Sequence, residues 1–165
     1  MLSAQTVTKT GQFDVNVNCW STITRCKQLR MFRYFIEMNM EETVKDNLRA
    51  GLAYIAGSII NRRNYSSITD QQQKKTIRMT GRFDKGNIDA QNLDEGSKIV
   101  GMMSGNDISF FHSLENVTLS LKLSGGDFKG RESGVERDFT GSVNGKAVKI
   151  YDGSEYNNFY YELGD

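Results

Sequence analysis

From residue 67 to residue 163 hydrophobic and polar positions alternate with a period of two, and Gly, Asn, Asp and Ser interrupt the alternation at short intervals. That period belongs to strands with one buried face. It predicts strands at 67–69, 76–83, 87–91, 98–103, 107–112, 117–123, 127–131, 136–143, 147–151 and 158–163. The connections carry turn chemistry. Asp84-Lys85-Gly86-Asn87 and Asn144-Gly145-Lys146 read as tight hairpins, and Asn-Gly is the strongest short signal of that kind.

The first 65 residues read differently. Phe13, Val15, Val17 and Cys19 alternate with Asp14, Asn16 and Asn18, which predicts one strand. Residues 24–38 satisfy both periods, and helix is favoured over strand. Asn39 followed by Glu42 makes a capping box, and Glu41 with Glu42 suits the positive end of a helix. A helix over about 40–63 follows, with Val44, Leu48, Leu52, Ile55 and Ile59 on one stripe. Ala50, Ala53, Tyr54 and Ala56 fill its other faces, so it is expected to be buried all round.

Residues 68–100 align with 128–160 at a shift of 60 without a gap, Thr80-Gly81 falling on Thr140-Gly141 and Ile88 on Val148. Alternation is kept throughout, and the reading is an internal repeat. Two hairpin pairs bridged by a third escape bare edges by curling into one sheet. The expected class is therefore α+β: an N-terminal strand and helical part, 1–65, packed as one unit on an antiparallel barrel-like or sandwich sheet of eight to ten strands, 66–165.

The run Phe139-Thr140-Gly141-Ser142-Val143-Asn144-Gly145, then Val148-Lys149-Ile150-Tyr151-Asp152 and Phe159-Tyr160-Tyr161, resembles the ends of uncharacterised bacterial β-repeat proteins. The likeness covers the C-terminal third. In the first repeat Ala90-Gln91-Asn92 stands where the pattern has Ile-Tyr-Asp. The nearest well-studied shape is a lipocalin-like barrel, although the Gly-x-Trp pattern of that family is missing around Trp20. The resemblance implies a barrel-like fold and no activity.

Composition adds exclusions. Hydrophobic residues at 38% and charged residues at 25% match an ordinary globular chain, and proline is absent. Residues 1–65 carry 9 − 5 = +4 and residues 66–165 carry 12 − 15 = −3, which sum to the net +1 of the whole chain. That balance gives no global attraction to a polyanion, so nucleic acid is an unexpected partner. Arg25, Lys27, Arg30 and Arg33 among Phe32, Tyr34 and Phe35 have the composition of a nucleic-acid surface, and equally that of a solvated helix face. The apolar run 52–60 is too short to span a bilayer. No basic, apolar leader is visible at residues 1–6, so the expected location is cytoplasmic unless a leader has been removed. Cys19 and Cys26 then read as reduced thiols, because their spacing without a nearby His is no zinc pattern.

Candidate chemistry is sparse. His112 is the single histidine, so any imidazole base would be this residue, and a strand-end His otherwise serves as a surface or capping group. Asp152 and Glu155 share one turn, with Asp70 near the equivalent turn of the first copy, and form the carboxylate pair for an acid–base reading. Turn acids otherwise solvate their loop. Asp84, Asn87 and Asp89 lack the length and the closing Glu of a calcium loop. No metal or cofactor is expected. Tyr151, Tyr156, Tyr160 and Trp20 are the candidate ligand or partner surface, because aromatic side chains with a polar tip favour interfaces. The leading expectation is a non-enzymatic binding or protein-interaction protein, with a protein partner or a second copy of the chain as its occupant. The alternatives are a lipocalin-like small-molecule carrier and a small hydrolase using His112 or the turn carboxylates.

Overall fold

The computed structural model describes residues 46–135 and 137–165. The chain divides into Met1–Met38 and Asn39–Asp165, and every described residue belongs to the second unit. The strand at 13–19, the segment 24–38, the capping box, Cys19, Trp20 and Cys26 lie outside the described residues.

Residues 46–61 form one helix, α1. Ten strands follow: β1 Ser67–Asp70, β2 Lys75–Asp84, β3 Asn87–Asn92, β4 Lys98–Ser104, β5 Asp107–His112, β6 Val117–Ser124, β7 Asp127–Glu132, β8 Asp138–Asn144, β9 Ala147–Asp152 and β10 Asn157–Gly164. Each strand pairs antiparallel with the next, and β1 pairs with β10 through Ile68 opposite Leu163 and Asp70 opposite Tyr161. The sheet is thereby a closed barrel, which removes both edges. The expected α+β class with a barrel-like sheet of eight to ten strands is thus realised as a closed barrel of ten.

Alternation fixes which side chains enter the lumen. Ile108, Phe110 and His112 of β5 point in, as do Phe139 and Val143 of β8 and Val148, Ile150 and Asp152 of β9, all of them buried. A barrel of eight strands is just wide enough for its own side chains to fill. Ten strands enclose more space, and α1 occupies it. Leu52, Ala53, Tyr54, Ile55 and Ala56 are all 0% exposed. The helix meets strands on opposite walls: Gly51 lies against Ile99 and His112 on β4 and β5, and Gly57 against Val148 and Leu163 on β9 and β10, while Tyr54 lies 6.2 Å from the Phe83 ring on β2 and Arg49 sits 3.8 Å over the ring of Phe159 on β10. The expectation of a helix packed on the sheet becomes a helix threaded through it.

Small residues make this passage possible. A Cβ on Gly51 would lie 2.8 Å from Ile99 Cδ1, and one on Gly57 would lie 2.5 Å from Leu163 Cδ1. At the far end of α1, Arg63 N donates to Ser58 O at 3.0 Å and Arg62 N to Ile59 O at 3.1 Å, with Arg62 at a φ of 51°. These are the paired bonds of a Schellman cap, here closed by arginine where glycine is usual. The Tyr54 hydroxyl donates to the Tyr65 carbonyl at 2.7 Å, which ties the chain leaving the barrel back to the helix inside it.

Strands β3, β5, β7 and β9 begin at residues 87, 107, 127 and 147. The structural spacing is therefore 20 residues, a third of the 60-residue shift read from the sequence. Each interval holds one hairpin.

Candidate functional site

The odd-numbered strands run in one direction, so their last residues collect at one rim of the barrel. Asp70, Asn92, His112, Glu132 and Asp152 are those residues, and all five are buried. Four of them accept from the turn that follows. Asp70 Oδ1 takes the N–H groups of Gln72 and Gln73, Asn92 Oδ1 those of Asp94 and Glu95, and Asp152 Oδ1 that of Ser154 together with its hydroxyl. His112 Nδ1 accepts from Glu115 N at 3.4 Å. Short polar side chains that bond their own backbone two or three residues on are the usual way to hold such turns.

The N-terminal end of α1 supplies the charges that meet this rim. Arg49 Nη1 reaches Asp152 Oδ2 at 3.2 Å, and its other end nitrogen pairs with Asp46. Arg137 Nη2 reaches the same Asp152 oxygen at 2.7 Å and extends Nη1 to Glu132 at 3.5 Å. Asn47 donates to Glu95. Burial would raise the Asp152 pKa, but the hydrogen bonds from Arg137 and Ser154 and the nearby positive charge overrule it and bring the group down to about 2. Asp152 is thus a fully committed ion-pair partner, not the solvated turn acid the sequence reading described. Glu155 stands exposed in the β9–β10 turn.

His112 is 1% exposed, and burial lowers its pKa to about 4, so the imidazole is neutral through the physiological range. The candidate base is a core capping group. Beside it, both carboxylate oxygens of Glu115 are sealed from water without a hydrogen-bond partner. Burial first, and the charge of Glu95 second, raise this group to about 7, against the pull of Arg137. Among the described residues no cluster of His, Cys, Asp and Glu has metal-holding geometry.

The outer wall carries a different surface. Lys122 of β6 stands directly opposite Lys129 of β7, and the cross-strand row continues through Thr140 of β8, Tyr151 of β9 and Asn158 of β10. The neighbouring row runs from Asp127 through Ser142 and Lys149 to Tyr160. Lys122, Lys129 and Lys149 are exposed, as are Tyr151 and Tyr160. Two like charges directly opposite one another weaken a sheet. The pair is nevertheless present, and Lys122 has only Asp107 at 4.0 Å to offset it. Lys149 lies 5.9 Å from the Tyr160 ring, and neither it nor Lys129 has an ion-pair partner among the described residues. An open depression of about 760 Å³ lies over these residues.

Of the partner residues read from the sequence, Tyr151 lines this depression and Tyr160 stands outside it, opposite Lys149, while Tyr156 is 84% exposed at the turn that follows β9. Trp20 lies outside the described residues. The three lysines were not singled out from the sequence, although a signal existed. Lys122 and Lys129 are equidistant from the Gly125-Gly126 turn, so the hairpin itself places them side by side. Arg49 and Arg137 were missed because their roles depend on burial inside a closed wall.

No family model, no curated protein and no solved structure matches this chain. Among the described residues no helix is long and apolar enough to cross a membrane.

Proposed function

We propose that this chain is a non-enzymatic binding or protein-interaction module that uses the outer wall of β6–β10 as its contact surface. The observation that carries the reading is the exposed lysine pair, Lys122 opposite Lys129, with Tyr151 in the same cross-strand row. The arrangement costs the sheet stability and gives nothing to the core, whereas exposed tyrosines and unneutralised charge are what a contact surface needs. A cytoplasmic location belongs to the same proposal and rests on the sequence reading alone.

The other two readings are weaker. A carrier needs an open lumen, and α1 takes that volume. A hydrolase needs groups free to move protons, yet Asp152 is held by Arg49 and Arg137, and His112 is sealed behind its turn.

The test has two arms. Chromogenic ester, phosphate-ester and glycoside substrates are expected to show no turnover by the purified chain above buffer, and turnover that His112→Gln or Asp152→Asn abolishes overturns the proposal. A photo-cross-linking residue in place of Tyr151 is expected to trap a partner in native extract, whereas the same residue in place of Leu93, in the β3–β4 turn, is not. Trapping from position 93 alone overturns the choice of surface.

A further inference from the structure

The depression over the lysines is one of three that lie side by side on the outer wall. The first, about 600 Å³, is bordered by Met102, Ser109 and Ser120 and shares Lys122 and Lys129 with the second. The third, about 540 Å³, is bordered by Gln71, Tyr160 and Glu162 and shares Ser142 and Lys149 with the second. Lysines therefore sit at both junctions of one shallow belt. It crosses the strands from β4 to β10, and strands lie about 4.8 Å apart, so the belt is roughly 30 Å long. A feature of that length and direction fits an extended chain laid across the strands, not a strand added to an edge, because the barrel has no edge.

Charge selects the kind of chain. The belt's own wall also carries Asp107, Asp127 and Glu162, all exposed, and two further cations that are already engaged, Arg131 with Asp138 and Lys146 with Asp165. A polymer with a negative charge on every unit would meet these acids as often as the lysines. A chain with negative charges at intervals can meet the lysines alone. Lys122 and Lys129 form one positive point. Lys149 lies two strands and two residues further on, roughly 12 Å away at ordinary sheet spacings. Four residues of extended polypeptide at about 3.3 Å each cover that distance and keep the first and last side chains on the same face.

Resting on the outer-wall reading above, we infer that the occupant is an extended acidic segment of a partner protein, with one carboxylate between Lys122 and Lys129 and a second, four residues along and on the same face, at Lys149. Thr140 and Ser142 of β8 lie between the two points, Tyr151 stands beside Lys149 on β9, and Tyr160 stands just beyond it on β10, where the two rings can pack on the segment as it passes.

The experiment is an anisotropy titration of the intact chain against a fluorescein-labelled Gly/Ser peptide carrying two glutamates four residues apart, on one face of the extended chain. The expected result is saturable binding, weakened by added salt, that falls at least tenfold in a Lys129→Glu/Lys149→Glu variant and in the peptide with glutamine at both positions. The gentler Lys122→Ser variant, which removes a side chain that is 75% exposed, is expected to keep its melting temperature and lose binding severalfold. Equal binding of the glutamate and glutamine peptides overturns the acidic occupant, and so does tighter binding of an oligothymidylate probe. Either result leaves the cross-link at position 151 to decide separately whether the outer wall is a contact surface at all.

Discussion

Arg49 Nη1 lies 3.2 Å from Asp152 Oδ2, with Arg49 3% exposed and Asp152 fully buried, and the bond joins the helix inside the barrel to the end of β9. Two charges removed from water repay their desolvation only when the geometry satisfies both. Asp152 achieves this with a second guanidinium, Arg137, and with the Ser154 hydroxyl. Arg49 adds Asp46 at an end nitrogen and the face of Phe159 against its guanidinium, while its Nε is left without a hydrogen-bond partner among the described residues.

Removing Asp152 takes a partner from two buried guanidiniums at once, leaving Arg49 with only Asp46 and Arg137 with only Glu132 as carboxylate partners among the described residues. Asp152→Ala is expected to destabilise the barrel by about 3–5 kcal/mol. Arg49→Met combined with Asp152→Leu should recover part of that loss, because no orphan charge remains on the helix. Urea unfolding of the single and double variants measures both quantities, and a double variant no better than Asp152→Ala would show that Arg49 does not depend on this partner.

Acid should weaken the fold through His112. Its native pKa is near 4 and its unfolded value near 6.5, so the unfolded chain binds the extra proton between those limits. Stability is therefore expected to rise with pH from about 4 to about 6.5, by roughly 3 kcal/mol. Thermal melts of the wild type and of His112→Gln across that range should diverge as pH falls, the variant being the flatter.

Glu115 acts in the opposite sense. Its native pKa of about 7 exceeds its ordinary value of 4.5, so the native state holds the proton longer and stability declines as pH rises through that window. Glu115→Gln is expected to melt higher than wild type above pH 7 and close to it at pH 4. A variant that melts lower at both would remove burial beside Glu95 as the cause.

Gly101 should tolerate no side chain. It faces inward on β4, and a Cβ there would overlap the Ser109 carbonyl oxygen and come within 2.6 Å of Phe110 Cα, both on the neighbouring strand. Backbone cannot step aside as a flexible side chain can. Gly101→Ala is expected to lower the melting temperature by more than 10 °C, against a change of a degree or two for Thr140→Ala on the outer wall.

Capping at the rim can be read one turn at a time. Asn92→Ala removes the acceptor for the Asp94 and Glu95 N–H groups and should cost about 1 kcal/mol. Amide exchange at Asp94 and Glu95 should accelerate while that of Phe110, in the wall, falls only with global stability.

The strands were legible because each obeys one local rule. Ile108, Phe110 and His112 alternate with Asp107, Ser109 and Phe111, and the alternation alone gives β5 to the residue. The helix was legible for the same kind of reason, since Leu52 to Ala56 offer no wet face. What local rules do not contain is closure. The pairing of Ile68 with Leu163 spans the whole sheet, and whether a helix lies on a wall or within it depends on that pairing. The candidate site followed suit. Tyr151 and Tyr160 stood out as exposed aromatics, but Asp152 looked like an ordinary turn acid because the guanidinium that holds it sits 103 residues earlier in the chain.

The seam between β1 and β10 gives this protein an order of assembly. β10 is the last of the ten strands to leave the ribosome, and until it docks the sheet is an open ribbon with two bare margins and the helix uncovered along one flank. Residues Asn157–Gly164 are the stave that seals the cask, so shortening the chain by that one strand would cost far more than eight residues of contact. It would leave a sticky, half-wrapped intermediate for chaperones to find.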